Sequence, residues 1–383
     1  MMPQDRGFRI AEKSIVLVEE ASALWSSVNP ALGNELGNLV RSMNCYYSNL
    51  IEGHPTHPVD IERALSGDFA DNREARNLQL EAVAHIAVQA MIDHGQAPSP
   101  VMSTEFLKWA HYEFCRRLPE ELLWVTNPDT HERLPVLPGE FRKHHVRVGH
   151  HVAPAPEQIE PLLDRFVKAY ADDKISRVYR CAAVAASHHR LLWVHPFLDG
   201  NGRVARLFSH AMFREWQIGS HLWSVSRGLG RNAEHYKAAL ASADDPRRGD
   251  YDGRGNLTDE GLTRFCDFFL DICIDQVRFM RDMLRPQELM LRVQLWCEHE
   301  VAAGRLPARS WTLLREALLL GSFARGDAPA VTGHKERQAR TVLNALLARG
   351  VLVSDGPRSR VRVGFPTDVI ERWIPTLYPA AIL

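Results

Sequence analysis

Residues 195–206 read HPFLDGNGRVAR and gather an imidazole, a carboxylate, an amide, two glycines and two guanidiniums into one turn and the start of a helix. Each type has a use in phosphoryl chemistry. Gly200 and Gly202 let the backbone turn sharply and approach an anion closely, while the free amides at the positive end of the new helix favour negative charge. The loop is read as an anion nest. Arg203 and Arg206 share one helix face, and their planar forks match phosphate oxygens, so they are expected to hold β and γ phosphates. Asp199 is a hard oxygen ligand beside them, and Mg²⁺ is bound in this way, through one or two carboxylates and the substrate's own phosphates. His195, ordinarily titrating near about 6.5, can accept the proton of an attacking hydroxyl at neutral pH. Pro196 and Phe197 anchor the loop that aims it. The P-loop pattern and a GxGxxG after a buried strand are both missing, so the loop is of its own type.

The elements around this loop are mostly helical. In the first 120 residues Leu78, Ala82, His85, Ile86 and Gln89 recur at helical spacing in an alanine-rich stretch. Residues 134–158 change texture to short β-branched alternation with turn residues, which predicts a small surface hairpin. Helices resume near Glu157; a second alanine-rich helix over 175–192 leads into the loop, and another follows through FCDFFLDICIDQVRFM. Pro286 marks a domain boundary. Beyond it the pattern is helix (WTLLREALLLGSF), loop (DAPAVTG), helix (HKERQARTVLNALLARG) and a strand pair turning at Asp355-Gly356-Pro357, as in a winged helix-turn-helix.

The chain has 383 residues, 45% hydrophobic and 24% charged, with a net charge of -1. That length exceeds one ordinary core, and that charge excludes a wholly nucleic-acid-coating surface. Six separated cysteines, Cys45, Cys115, Cys181, Cys266, Cys273 and Cys297, form no CxxC pair and read as free thiols in a reducing compartment. The start lacks a signal-peptide core and no eighteen apolar residues run together, so no membrane span is expected and the cytoplasm is the default location. His-His pairs at 144, 150 and 188 raise zinc, but no cysteine spacing accompanies them and they are read as exposed or packing histidines.

HPFLDGNGRVAR resembles the signature of the Fic family: His, any, Phe, any, Asp or Glu, Gly-Asn-Gly-Arg, two of any, Arg, with every specified position matched. The resemblance implies transfer of AMP from ATP to a Ser, Thr or Tyr hydroxyl of a protein. His195 would act as base and Asp199 would hold Mg²⁺. Asn201 with the Gly200 and Gly202 amides would steady the phosphates, and Arg203 and Arg206 would bind the leaving group. UMP transfer, and removal of AMP, are the alternatives. Tyr236 falls where the family often has a tyrosine pair near the base, though here Lys237 follows.

Residues 138–149, PGEFRKHHVRVG, resemble the family's flap hairpin, with Gly139, Glu140, Phe141 and Arg142 expected to dock a target segment by strand addition. Upstream, YYSNLIEGH matches the family's inhibitory pattern at Ser48, Glu52 and Gly53. The same residues also fit an ordinary helix end capped by Gly53. As an inhibitory element, Glu52 would occupy Arg206 and deny it to the γ-phosphate.

The fold expected is mainly α: an N-terminal helical region over 1–100 carrying the inhibitory helix, a Fic-type core with a β-hairpin flap over 101–285, and the winged module over 286–383. In that module Lys335, Arg337 and Arg340 mark one side of the recognition helix, and Arg358, Arg360 and Arg362 alternate along a wing strand. Such a layout suits DNA, although winged helices also bind proteins. A DNA-binding regulator with a nucleotide-sensing core is thus the rival function. Self-modification and a homodimer stay open.

Overall fold

Several helices begin where a side chain caps them. Asn72 accepts from the Ala75 amide at 3.1 Å, Ser103 from Phe106 at 3.1 Å, Ser224 from Arg227 at 3.0 Å and Thr258 from Gly261 at 3.2 Å, each satisfying a donor that a helix start leaves open. The computed structural model describes residues 2–5, 7–127, 130–219 and 221–379. The fold is mainly α, as the sequence predicts.

The N-terminal helices are α1 (Arg9–Ser27), α2 (Gly33–Ile51), α3 (Pro58–Leu65) and α4 (Arg73–Asp93). The middle of the chain supplies α5 (Thr104–Cys115), α6 (Ile159–Tyr170), α7 (Arg180–Val194), α8 (Asn201–Glu215), α9 (Val225–Arg231), α10 (Ala233–Asp244) and α11 (Asp259–Met283). At its centre α7 packs on α8, α6 and α11. Ala182, Ala183, Ala185 and Ala186 are all buried on α7, and such small side chains let neighbouring helices approach closely. α2 lies across α9 and α4 and reaches α8, which brings the end of one N-terminal helix beside the glycine-rich loop.

Two short hairpins flank this bundle. β1 (Trp124–Thr126) pairs antiparallel with β2 (Arg133–Pro135), and β3 (Arg147–Val148) with β4 (His151–Val152). The hairpin expected over 138–149 is therefore displaced: its pairing begins at Arg147, and residues 138–146 form turns and irregular chain. Gly139 sits at φ +77° and Arg142 is buried, so this stretch is anchored inward and does not offer a paired ladder.

The last part holds α12 (Pro286–Ala302), α13 (Ser310–Leu320), α14 (Ala328–Thr332), α15 (Glu336–Ala348) and α16 (Thr367–Trp373), with a three-stranded antiparallel sheet of β5 (Ser322–Phe323), β6 (Leu352–Val353) and β7 (Val361–Val363) in the order β5-β7-β6. Pro286 opens α12, where its missing amide donor costs nothing. DAPAVTG, expected as a loop, forms α14, with Pro329 in its first turn and Gly333 ending it at φ +69°. β7, α16 and the segment after it pack on the N-terminal helices: Tyr47 donates to the Leu377 carbonyl at 2.9 Å, Arg362 Nε reaches Glu35 at 2.6 Å, and the Thr367 amide donates to Glu62 at 2.9 Å. Among the described residues no helix is long and apolar enough to cross a membrane.

Candidate active site

The loop between α7 and α8 is fixed at both ends by backbone conformation. His195 ends α7 in the left-handed region at φ +49°, its amide donating to Leu191 at 3.0 Å, and Pro196 prevents the helix from continuing. Gly200 begins α8 at φ +78° and contributes no capping side chain, so the first amides of α8 face the loop with no acceptor from the cap. A β-carbon on Gly200 would stand 3.5 Å from the His111 ring.

Between these ends the chain is stapled by Asn201. Its Nδ2 donates to the Phe197 carbonyl at 2.8 Å and its Oδ1 accepts from the Phe197 amide at 2.9 Å. Both ends of this buried amide thus engage the loop backbone, each with one bond. In this state Asn201 shapes the loop through Phe197.

His111, which sequence reasoning passed over, completes the support. Its ring stacks on Phe197 with centroids 4.0 Å apart and planes 3° from parallel. Nδ1 accepts from the Gly139 amide at 2.9 Å, while the ring also bonds the backbone at Asp199. Burial keeps the ring neutral, lowering its pKa to about 4. One side chain thereby joins residue 139 of the anchored stretch to the loop.

Arg142 makes a second link. Its backbone amide donates to the Pro196 carbonyl at 2.9 Å, and its guanidinium donates to the carbonyls of His195 at 2.7 Å, His144 at 2.9 Å and Pro154 at 2.7 Å. Of the four expected docking residues, Arg142 is therefore a buried brace. Gly139 is held by His111, and Phe141 packs beside Phe197 with Lys108 Nζ 4.5 Å above its ring. Only Glu140 is exposed.

Both signature arginines are engaged. Arg206 donates from Nε to Ser48 Oγ at 2.8 Å, and from Nη2 to the Ser48 carbonyl at 3.1 Å and to Glu52 Oε1 at 2.6 Å. Burial would raise the Glu52 pKa, but the Arg206 and Arg203 charges and the Arg206 hydrogen bond outweigh it and hold the carboxyl below its usual range. Gly53 follows at φ +83°, so the helix-end reading and the arginine contact are both present in the same residues. The Glu52 carboxylate lies over Gly202, the face that the lack of a side chain leaves open.

Arg203 pairs with Glu81, a buried carboxylate on α4, and donates to His54 Nδ1 at 3.0 Å. Burial lowers its pKa to about 10. The sequence does carry a trace of Glu81, because Glu81, His85, Gln89 and Asp93 recur every fourth residue and form a buried polar stripe on α4.

Tyr236 lies on α10. It is buried, with its hydroxyl 2.7 Å from His188 Nε2, while His188 Nδ1 stands 2.8 Å from Ser209 Oγ. Ser209 donates to the Ala205 carbonyl at 2.9 Å, so it accepts from His188, and the neutral imidazole then accepts from Tyr236. The Tyr236 hydroxyl also lies within hydrogen-bond reach of Arg206.

His195 has its pKa lowered to about 4, by burial first and then by the Arg142 and His151 charges. Asp199 is pushed up by burial and by the Glu52 carboxylate, against the Gly200 amide and His54. Among the described residues no group of three or more His, Cys, Asp or Glu could hold a metal ion. A lone Asp199 still fits Mg²⁺ held chiefly by a nucleotide's phosphates, and a divalent charge there would relieve its repulsion from Glu52.

Residues 102–213 match the model of the Fic/DOC family. Over 78 residues the chain is 37% identical to proteins named protein adenylyltransferase Fic from Drosophila erecta and Drosophila yakuba, covering 20% of this chain and 16% of each relative's length. A crystal structure of a Fic family protein from Desulfovibrio desulfuricans G20 aligns with a TM-score of 0.56 at 17% identity, covering 95% of this chain and 98% of that one. A solved form of Fic-1 from C. elegans aligns with a TM-score of 0.50 at 16% identity, covering 71% of this chain and 70% of that one.

Proposed function

We propose, from the Fic/DOC match over residues 102–213, that the chain is a Fic enzyme that transfers AMP from ATP to a hydroxyl of a protein and is held silent by Glu52. The observation that carries the reading is the loop itself: an open helix start beside Gly202, two arginines on one face and His195 at the facing helix end. A nucleotide's phosphates bind at such amides, and guanidinium forks hold them in line.

The residues divide the work as follows. His195 takes the proton of the target hydroxyl. The freed oxygen attacks the α-phosphorus of ATP, the bond from that phosphorus to the bridging oxygen breaks, and pyrophosphate leaves with the electron pair. Arg206, once clear of Glu52, grips the terminal phosphate, and Arg203 lies beside it. Asp199 would hold Mg²⁺, which supplies charge neutralisation of the phosphates when bound. His111, Asn201 and Arg142 keep the loop in shape, which is where positioning contributes most of the rate.

The relatives' name, protein adenylyltransferase, favours AMP over UMP. Incubating the chain with ATP or UTP in the absence and presence of a cell lysate, followed by intact-protein and peptide mass spectrometry, tests both points. Addition of AMP to protein hydroxyls, lost in His195→Ala, is the expected outcome. Equal incorporation by His195→Ala overturns the role given to His195, and addition of UMP alone overturns the choice of nucleotide.

A further inference from the structure

The C-terminal elements leave one helix face that the transferase reading does not use. α13, α14 and α15 pack together, with Gly333 turning α14 into α15 at φ +69°, and β6 and β7 follow as a hairpin. This is the element order of a winged helix-turn-helix. Ala339, Val342, Leu343 and Leu346 of α15 are buried against the module. Arg337, Arg340, Thr341 and Asn344 occupy the opposite, exposed face, at the spacing that aligns residues along one side of a helix.

Charge separates this face from the rest of the molecule. Lys335, Arg337 and Arg340, together with Arg358 at the hairpin tip, are exposed and have no ion-pair partner among the described residues. Glu336 is the single acidic residue among residues 335–348 of the helix. By contrast, the neighbouring wing arginines are committed elsewhere. Arg360 donates to Ser322 Oγ and to its carbonyl, each at 2.8 Å, and Arg362 is shared between Glu35 at 2.6 Å and Asp355 at 2.8 Å. The expectation that all three wing arginines reach phosphates is thereby corrected to Arg358 alone.

We propose that α15 is a duplex-DNA recognition helix, with Arg337, Arg340 and Asn344 at base edges in the major groove and Lys335 and Arg358 on flanking phosphates. Arginine pairs with guanine edges and asparagine with adenine edges, whereas lysine and a wing arginine act as point charges on the backbone. The face is a local basic patch on a chain whose net charge is -1, so it discriminates by position and not by bulk charge. This function stands apart from nucleotide transfer.

Fluorescence anisotropy of the full chain with labelled duplexes enriched from a randomised pool tests it. Binding that weakens with salt, with a slope of about -2 in log K against log salt for two phosphate-neutralising cations, is expected. Arg337→Ala with Arg340→Ala should lose roughly tenfold or more in affinity and most sequence selectivity. Arg358→Ala should weaken all duplexes alike. His195→Ala should bind as the parent does, and circular dichroism checks that the surface variants stay folded. No duplex retained at low salt, or equal retention by the folded double variant, overturns the proposal, as does capture of a protein on this face without DNA.

Discussion

Glu52 Oε1 and Arg206 Nη2 stand 2.6 Å apart across 154 residues of chain, and the same guanidinium also takes Ser48 Oγ and the Ser48 carbonyl. Three acceptors on one helix end thus take Nε and Nη2, three of the five donors of the arginine that the phosphates need. Glu52→Gly removes the charged acceptor and opens the space over Gly202. Self-modification with labelled ATP should rise at least tenfold. Equal labelling of the parent and Glu52→Gly, at matched protein concentration, would remove Glu52 as a brake.

Asn201→Ala leaves the Phe197 amide and carbonyl unpaired in a buried turn. Two lost hydrogen bonds with desolvated partners cost about 2–3 kcal/mol. A urea midpoint lowered accordingly, with label incorporation in a Glu52→Gly background reduced about tenfold or more, is expected. Full incorporation at normal stability would show that the loop keeps its shape without the staple.

Glu81→Gln keeps the volume of the side chain but strands the Arg203 charge. Breaking one side of a buried ion pair costs about 3–5 kcal/mol. The loss should be visible in denaturant unfolding and should be partly recovered by a matching Arg203→Met change. Unchanged unfolding would mean that the charge finds another partner.

Acid should weaken the fold before it stops the base. His85, His111 and His188 are held at about 3, 4 and 3, chiefly by burial. In the unfolded chain such rings take up protons below about 6.5, so the unfolded state binds more protons there. Stability is therefore full above that pH and falls as pH drops from it toward about 4. His195, lowered to about 4, stays unprotonated over the same window. Unfolding midpoints that decline from neutral toward about pH 5, with single-turnover transfer still proceeding in the folded fraction, would match both shifts. A loss of transfer centred near about pH 6.5 would instead place the His195 proton in the ordinary range.

The sequence disclosed the loop because identity and order within twelve consecutive residues carry its chemistry, and the helical bundle because its apolar spacing is regular. It did not disclose which polar groups are already spent. Nothing in the sequence shows that the Asn201 amide holds Phe197 with both of its ends. Nor does it show that Tyr236 is buried with its hydroxyl on His188. Glu81 and His111 come from other helices, and only the packing of α4 and α5 against α8 and the loop gives them a role. The hairpin slipped because Gly139 and Arg142 are pulled inward by partners far away in sequence.

α2 connects distant parts of the molecule. Near its first turn Glu35 holds Arg362 of the wing; on its body Tyr47 holds Leu377; at its last turn Ser48 and Glu52 hold Arg206. Nineteen helical residues make a rod about 28 Å long at 1.5 Å per residue. One rod thus touches the wing at one end and, at the other, both the C-terminal tail and the signature guanidinium.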